Sequence, residues 1–358
     1  MANFAWDSAN TLQQWAKGYF REWVRGNQFK PYMGKDINKP IQINQELSKK
    51  KGDKITFTFL RKLAGSGVTG DNTLEGNEEA LLNYGHQVTV DQLRNAVVIG
   101  EMEAQKSDID MMKAGTPALM DWDMEKYRDE ILDALGSANV DGTTVYSSCT
   151  EAQKDAWLTA NDGTVRRVLF GNAIGNQSTT DHSASLSAVD STNDTLDTGI
   201  VDLAKRMAKL ASPTMRPIRV NGMGEFFVMF VGSYAMRDLR ADSTMSNALQ
   251  YAQLRGKNNP LFADGDLMWA NVIVHEIPEL DVISGVGNGS IDVSPCYLCG
   301  GQAVGVAIGK SPHAVEDEFD YGNLKGKGVA VIRGVDKLMN NSIQNGVLTA
   351  YVAGVADS

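Results

Sequence analysis

The chain has 358 residues, 42% apolar and 22% charged, with a formal net charge of −10. That length buries a sizeable core, the composition is ordinary for a globular protein, and the acidic balance argues against a dedicated nucleic-acid binder. Three cysteines (Cys149, Cys296, Cys299) cannot make a disulfide framework. The opening Met-Ala-Asn-Phe-Ala-Trp-Asp lacks the basic and apolar regions of a secretory signal, and the longest apolar run, Phe226 to Val231, is far too short to span a bilayer. The expectation is a protein made in a cytoplasm-like compartment, kept there or released by lysis, with no membrane partner.

The charge is uneven. Residues 1–54 hold ten Lys/Arg and five Asp/Glu, a net +5, which leaves −15 for the rest. A basic segment on an acidic body suggests an arm that meets something anionic, with a solvated face as the alternative. Within it, residues 8–25 read as an amphipathic helix: Leu12, Trp15, Tyr19, Phe20 and Trp23 fall at helical spacing, Ser8 or Asn10 caps it, and Gly26 ends it. Its aromatic face is too large to bury within so short a segment. It needs the body or a neighbouring subunit. Residues 26–53 look extended, with Pro31, Pro40 and the run Lys49-Lys50-Lys51.

Next, Ile55, Phe57 and Phe59 alternate with Thr56 and Thr58, the pattern of a half-buried strand. A return strand runs from Gln87 to Val90 and on toward Val97–Ile99. Together they form an extended two-stranded arm to about residue 100. Between them, Gly65-Ser66-Gly67-Val68-Thr69-Gly70 matches the dinucleotide fingerprint G-x-G-x-x-G. That motif works only when its glycines open a helix whose N-terminus meets a pyrophosphate. Here a polar stretch broken by Gly76 follows, so the glycines read as a flexible loop tip.

Two helices come next. One covers roughly 103–114 and stops at Gly115. The other takes Thr116 as N-cap, Pro117 as its first residue and Gly136 as its terminator. Leu119, Trp122, Met124, Tyr127, Ile131, Leu132 and Leu135 give it an apolar side, with Asp121 and Asp123 on the wet sides. Residues 137–198 are rich in small polar residues, and 175–197 reads as a surface loop. A helix is expected at 199–211, strands at 218–220 and 225–231, a helix at 233–255, strands at 268–274 and 303–308, and further strands and turns at 328–336 and 346–353.

The candidate chemical motifs are incomplete. Gly305-Val-Ala-Ile-Gly309-Lys310-Ser311 has three residues between its glycines where a P-loop has four. His275-Glu276 is followed by Pro278 and Glu279 instead of the second histidine of a zinc protease. Cys296-Tyr-Leu-Cys299 is a lone C-x-x-C, short of the four ligands of a structural zinc site. The pairs Asp108/Asp110 and Asp121/Asp123 lie two apart, which on a helix does not bring them together.

Three runs carry a family resemblance: "KITFTFLRKLAGSGVTGDNTLEGNEEAL", "TPALMDWDMEKYRDEILDALG" and "GKGVAVIRGVDKL". With the order of elements, they resemble the major capsid proteins of tailed double-stranded DNA bacteriophages, of Hong Kong 97-type fold, and most closely the N4-like major capsid family. The resemblance covers most of the chain. The first run is fairly specific; the other two fit many capsid proteins. It implies an α+β fold with an N-terminal arm (1–53) and an extended loop lying over the adjacent subunit (54–100). A peripheral domain with a spine helix and a polar insertion (101–199) would follow, then an axial domain (200–310) and C-terminal strands returning to the peripheral domain (311–358). It implies a structural role: self-assembly, as hexamers and pentamers, into an icosahedral head shell enclosing phage DNA.

The same resemblance implies no catalytic residues, no cofactor and no metal. Intersubunit contacts would come from Trp15, Tyr19 and Trp23 of the arm and from Arg61, Lys62, Glu75, Glu78 and Glu79 of the loop. Portal, scaffold or decoration proteins would be partners, packaged double-stranded DNA would touch the inner face non-specifically, and the protein would be made in the host cytoplasm and reside in the virion. Nothing before residue 54 resembles the long coiled coil of a built-in scaffold, and although Lys62 lies in the loop, no pattern marks an isopeptide cross-link. Two alternatives are a tail-tube subunit, against which the long helix argues, and a cytoplasmic nucleotide-dependent enzyme built on the Gly-rich motif.

Overall fold

The computed structural model describes residues 25–48, 52–63, 65–106, 110–178, 180–219, 224–253 and 267–357. Apart from Arg25, the helix expected over 8–25 lies outside the described residues, with Trp15, Tyr19 and Trp23; so does the Lys49–Lys51 run. The first third of the chain gives β1 (Met33–Gly34), β2 (Ile41–Asn44), β3 (Lys54–Leu60), β4 (Asn83–Thr89), β5 (Asp91–Gly100), α1 (Glu101–Lys106) and α2 (Met111–Gly136). Then come α3 (Glu151–Asn161), β6 (Val168–Phe170), α4 (His182–Ser187), α5 (Thr198–Leu210), β7 (Ile218–Arg219), β8 (Glu225–Val231), α6 (Ser233–Ala241) and α7 (Ser243–Gln253). The rest is β9 (Leu267–Trp269), β10 (Val272–Glu276), β11 (Val293–Cys299), β12 (Val304–Phe319), β13 (Leu324–Lys337), β14 (Met339–Asn340), β15 (Ile343–Gln344) and β16 (Val347–Ala353). These elements fall into two compact units. The larger comprises residues 28–91, 128–310 and 333–358; the smaller comprises 1–27, 92–127 and 311–332.

The larger unit is built on a mixed sheet of order β6-β16-β11-β8-β10-β9, with β7 added on β8. Strand β11 runs antiparallel to β16 and β8, and β10 runs parallel to β8. Every residue of β11 and β16 is buried, as expected of strands covered on both faces. Alternate residues serve opposite faces. Leu348, Ala350 and Val352 join Phe227, Met229 and Val231 beneath α5 and α6, while Tyr351 and Ala353 join Trp157, Phe170 and Leu186 on the other side. Helix α5 forms because Ile200, Ala204 and Met207 make a one-sided stripe and Asp197 caps it, accepting from the Ile200 N–H at 2.7 Å. Strands β3 and β4 form a separate antiparallel pair. Ile55, Phe57 and Phe59 turn inward onto Val88, Ala307 and Leu338, as the alternation predicted.

The smaller unit holds β5 from Gln92, α1, the N-terminal part of α2, residues 311–319 of β12 and 324–332 of β13. Where the sequence suggested one return strand from 87 to 99, there are two, β4 and β5, in different sheets.

Four further expectations are corrected. Helix α2 starts near Asp110, whose carboxylate accepts from the Lys113 N–H at 3.1 Å, and runs through Gly115 and Pro117. Thr116 is therefore not its cap; its hydroxyl bonds back to the Met112 carbonyl at 3.5 Å. Residues 175–197 are no surface loop: α4 lies there, and His182, Leu186, Val189 and Leu196 are buried. The helix expected at 233–255 is split at Asp242, whose side chain accepts from the Thr198 hydroxyl at 2.7 Å. The strand expected at 268–274 is folded into a hairpin by Ala270 and Asn271, both in the left-handed region. Asp121, placed on a wet side by the sequence, is buried.

Candidate assembly surfaces

Between β3 and β4, residues 61–82 form turns and irregular chain with no helix among the described residues. Gly67, Gly70 and Gly76 adopt positive φ, a conformation that glycine takes at no steric cost. Without a helix after Gly70, nothing aims N–H groups at a pyrophosphate in the way the dinucleotide motif requires. The loop is tied by a few local bonds. Arg61 N–H donates to the Leu82 carbonyl at 3.0 Å, and its guanidinium sits 5.6 Å above the Tyr84 ring. Glu79 accepts from the Gly65 N–H at 2.6 Å, and Glu78 from the Gly76 N–H at 2.8 Å. Two of the acidic residues expected to reach a neighbour thus also hold the loop's own shape. Lys62 and Glu75 are exposed.

The leucines were not singled out from the sequence. Leu60, Leu63, Leu74, Leu81 and Leu82 are each more than half exposed, with Leu63 and Leu81 at 60%. Scattered apolar residues on a surface need no explanation, but a cluster of this kind on one projecting loop marks an interaction site. The smaller unit repeats the feature. Met120 and Met124, one turn apart on α2, are exposed, as are Val98, Met102, Val315, Phe319 and Tyr321. Its β12–β13 hairpin is edged with charge, Lys327 pairing with Glu316 at 2.7 Å and Lys325 with Glu318 at 3.7 Å.

The enzyme-like motifs are dispersed by the fold. Cys296 and Cys299 lie three apart on β11, so they point to opposite faces. Both thiols are fully buried and pushed upward in pKa by that burial. His275 packs edge-on against Tyr32 and Phe230, while Glu276 accepts from Ser233 Oγ at 2.9 Å. Gly305 to Ser311 is extended strand within β12. Among the described residues no group of three or more His, Cys, Asp or Glu could hold a metal ion.

An α+β subunit with an exposed leucine-bearing loop and a long helix is the architecture of Hong Kong 97-type capsid proteins, and whole-chain comparison agrees. The capsid asymmetric unit of cyanophage Pam1 superposes with a TM-score of 0.91 at 33% identity over 100% of both chains. The capsid of Ralstonia phage GP4 gives 0.76 at 22% identity, covering 100% of this chain and 99% of that one. In sequence, the major capsid protein of Pseudomonas phage KPP25 is 30% identical over 382 aligned positions, 98% of this chain and 97% of that protein. A family model described as phage capsid protein matches residues 3–351, and the chain belongs to that family. It is a structural subunit of a phage head shell and a component of the virion.

Proposed function

We propose that the loop 61–82 is the lattice clamp of this subunit, laying its leucines on an adjacent copy within hexamers and pentamers. The observation that carries this is the exposure of Leu63, Leu74 and Leu81 on a loop that buries none of them. Covering each contributes roughly 1.5–3 kcal/mol, and a shell repeats the contact in every subunit. Arg61, Lys62 and Glu75 flank the leucines as polar rim. Residues 1–53 act as an arm whose aromatic residues Trp15, Tyr19 and Trp23 seek a neighbouring subunit and whose lysines face packaged DNA or a scaffold protein. Residues 101–199, with α2 as spine, serve as the peripheral domain, 200–310 as the axial domain, and 311–358 as the returning strands. The subunit works without catalysis and is made in the host cytoplasm before joining portal, scaffold or decoration proteins. The N-terminal runs favour the N4-like group of capsid proteins.

The test is a Leu63→Asp, Leu81→Asp double variant. It leaves Glu78 and Glu79, which hold the loop, untouched. The variant is expected to stay soluble with native circular dichroism and to give few or no closed particles by electron microscopy. A particle yield equal to that of the unaltered protein would overturn the clamp reading.

A further inference from the structure

The larger unit contains an open cavity of about 430 Å³ that the assembly reading does not use. The last turns of α2 present Asp129, Leu132, Asp133 and Gly136 to it, positions that share one helix face. Glu279 and Asp281 come from the segment after β10, and Tyr297 comes from β11. The lining therefore holds four carboxylates and no Lys, Arg or His. Arg128, just outside, bridges Asp129 at 2.9 Å and Glu279 at 3.3 Å, and the C-terminal end of α2 adds the negative pole of its dipole.

A second observation is independent of this charge. Tyr297 is only 4% exposed, lines the cavity, and its hydroxyl makes no hydrogen bond among the described residues. Its phenol is held protonated by burial first, and also by neighbours that include the Asp133 carboxylate. A buried hydroxyl aimed into an acidic cavity lacks a partner that the fold does not supply.

The chemistry of that partner follows from the spacing. The carboxylates do not converge as a metal ion requires, since no metal-binding group of three or more acidic or other ligand residues forms among the described residues. Apolar side chains such as Leu132 and Val282 separate them. A point cation has no cage here. A chain of methylenes carrying ammonium groups matches both features, its charges meeting carboxylates and the Tyr297 oxygen while its carbons cover the apolar wall.

We propose that this cavity binds an aliphatic polyamine. The site is independent of the lattice reading, and its test needs no shell. Full-length protein is titrated with spermidine by calorimetry, alone and against MgCl₂ or NaCl at matched ionic strength. One saturable spermidine site per chain is expected, displaced no better by magnesium than by sodium. Asp281→Asn, at an exposed position that does not threaten folding, should weaken it about tenfold, the effect of one charge-assisted hydrogen bond. Tyr297→Phe, which changes no charge, should weaken it several-fold. Absence of a saturable site, displacement by magnesium beyond its ionic-strength effect, or unchanged affinity in both variants would overturn the assignment; the last would mean diffuse attraction to an acidic protein.

Discussion

His182 is the clearest place to test the packing of the larger unit. It begins α4, is fully buried, and is ringed by Tyr146, Trp157, Phe170 and Tyr351 at centroid distances of 5.5 to 6.0 Å. Its Nε2 lies 3.3 Å from the Tyr351 hydroxyl, and its Nδ1 has no hydrogen-bond partner. Burial, with a smaller push from Lys154, lowers its pKa from 6.5 to about 4, against the opposing pull of Glu151, Asp155 and Asp181. Because the folded value lies below the unfolded one, the unfolded chain takes up the proton first. Stability is therefore present above about pH 6.5 and is lost as pH falls toward 4. At 1.36 kcal/mol per pKa unit the whole span is worth about 3 kcal/mol, of which roughly 2–3 is lost by pH 4.5. Asp336 runs the other way over an overlapping window. Burial, then Asp141, raises its carboxyl to about 7, so it gains relative stability as pH falls. The informative quantity is thus the difference between His182→Phe, which keeps an aromatic ring in the pocket, and the unaltered chain. Urea unfolding of unassembled subunits between pH 7.5 and 4.5 should show that difference move by roughly 2–3 kcal/mol in favour of the variant. Parallel stability curves would refute the buried, neutral imidazole.

Lys337 is fully buried, its ammonium donating to the Ser137 carbonyl at 2.6 Å and to Gln344 Oε1 at 3.1 Å, and burial lowers its pKa from 10.5 to about 7. Between those values the unfolded chain holds more protons, so the unaltered protein should gain roughly 1.5 kcal/mol relative to Lys337→Met from pH 7 to pH 8.5, read by urea unfolding. Gly334 has no room for a side chain: a Cβ there would press on the Thr89 carbonyl, 2.9 Å from its carbon. Gly334→Ala should lower stability by about 1–3 kcal/mol in thermal or urea unfolding. Arg333, 5% exposed, holds Glu130 with both ends of its fork, at 2.6 and 3.3 Å. A double-mutant cycle with Arg333→Met and Glu130→Gln should give a coupling of about 1–3 kcal/mol.

Much of the fold was legible where one period dominated. The alternation of Ile55, Phe57 and Phe59 gave a strand with the right face inward, and the stripe in α5 gave its helix. Failures arose where local signals competed. Thr116-Pro117 is a valid helix start, but Asp110 caps an earlier one. Thr150-Glu-Ala-Gln153 is a capping box in plain view, with the Gln153 N–H on the Thr150 hydroxyl at 3.3 Å, and α3 follows it. Residues 175–197 looked like a loop because their order comes from polar groups. Asp194, almost fully buried, accepts from the N–H groups of Asn172 and Asp190 at 2.8 Å each, which no hydrophobic period announces. In the candidate assembly loop, charge drew attention to Arg61, Glu78 and Glu79, whereas the exposed leucines stood out only once the fold left them uncovered.

The most direct test of the loop's role is a cryo-electron microscopy reconstruction of particles assembled from the full-length chain. Residues 61–82 should lie across an adjacent copy, with Leu63, Leu74 and Leu81 removed from solvent by it. Closed shells in which those three leucines still face solvent would contradict the proposal that this loop clamps the lattice.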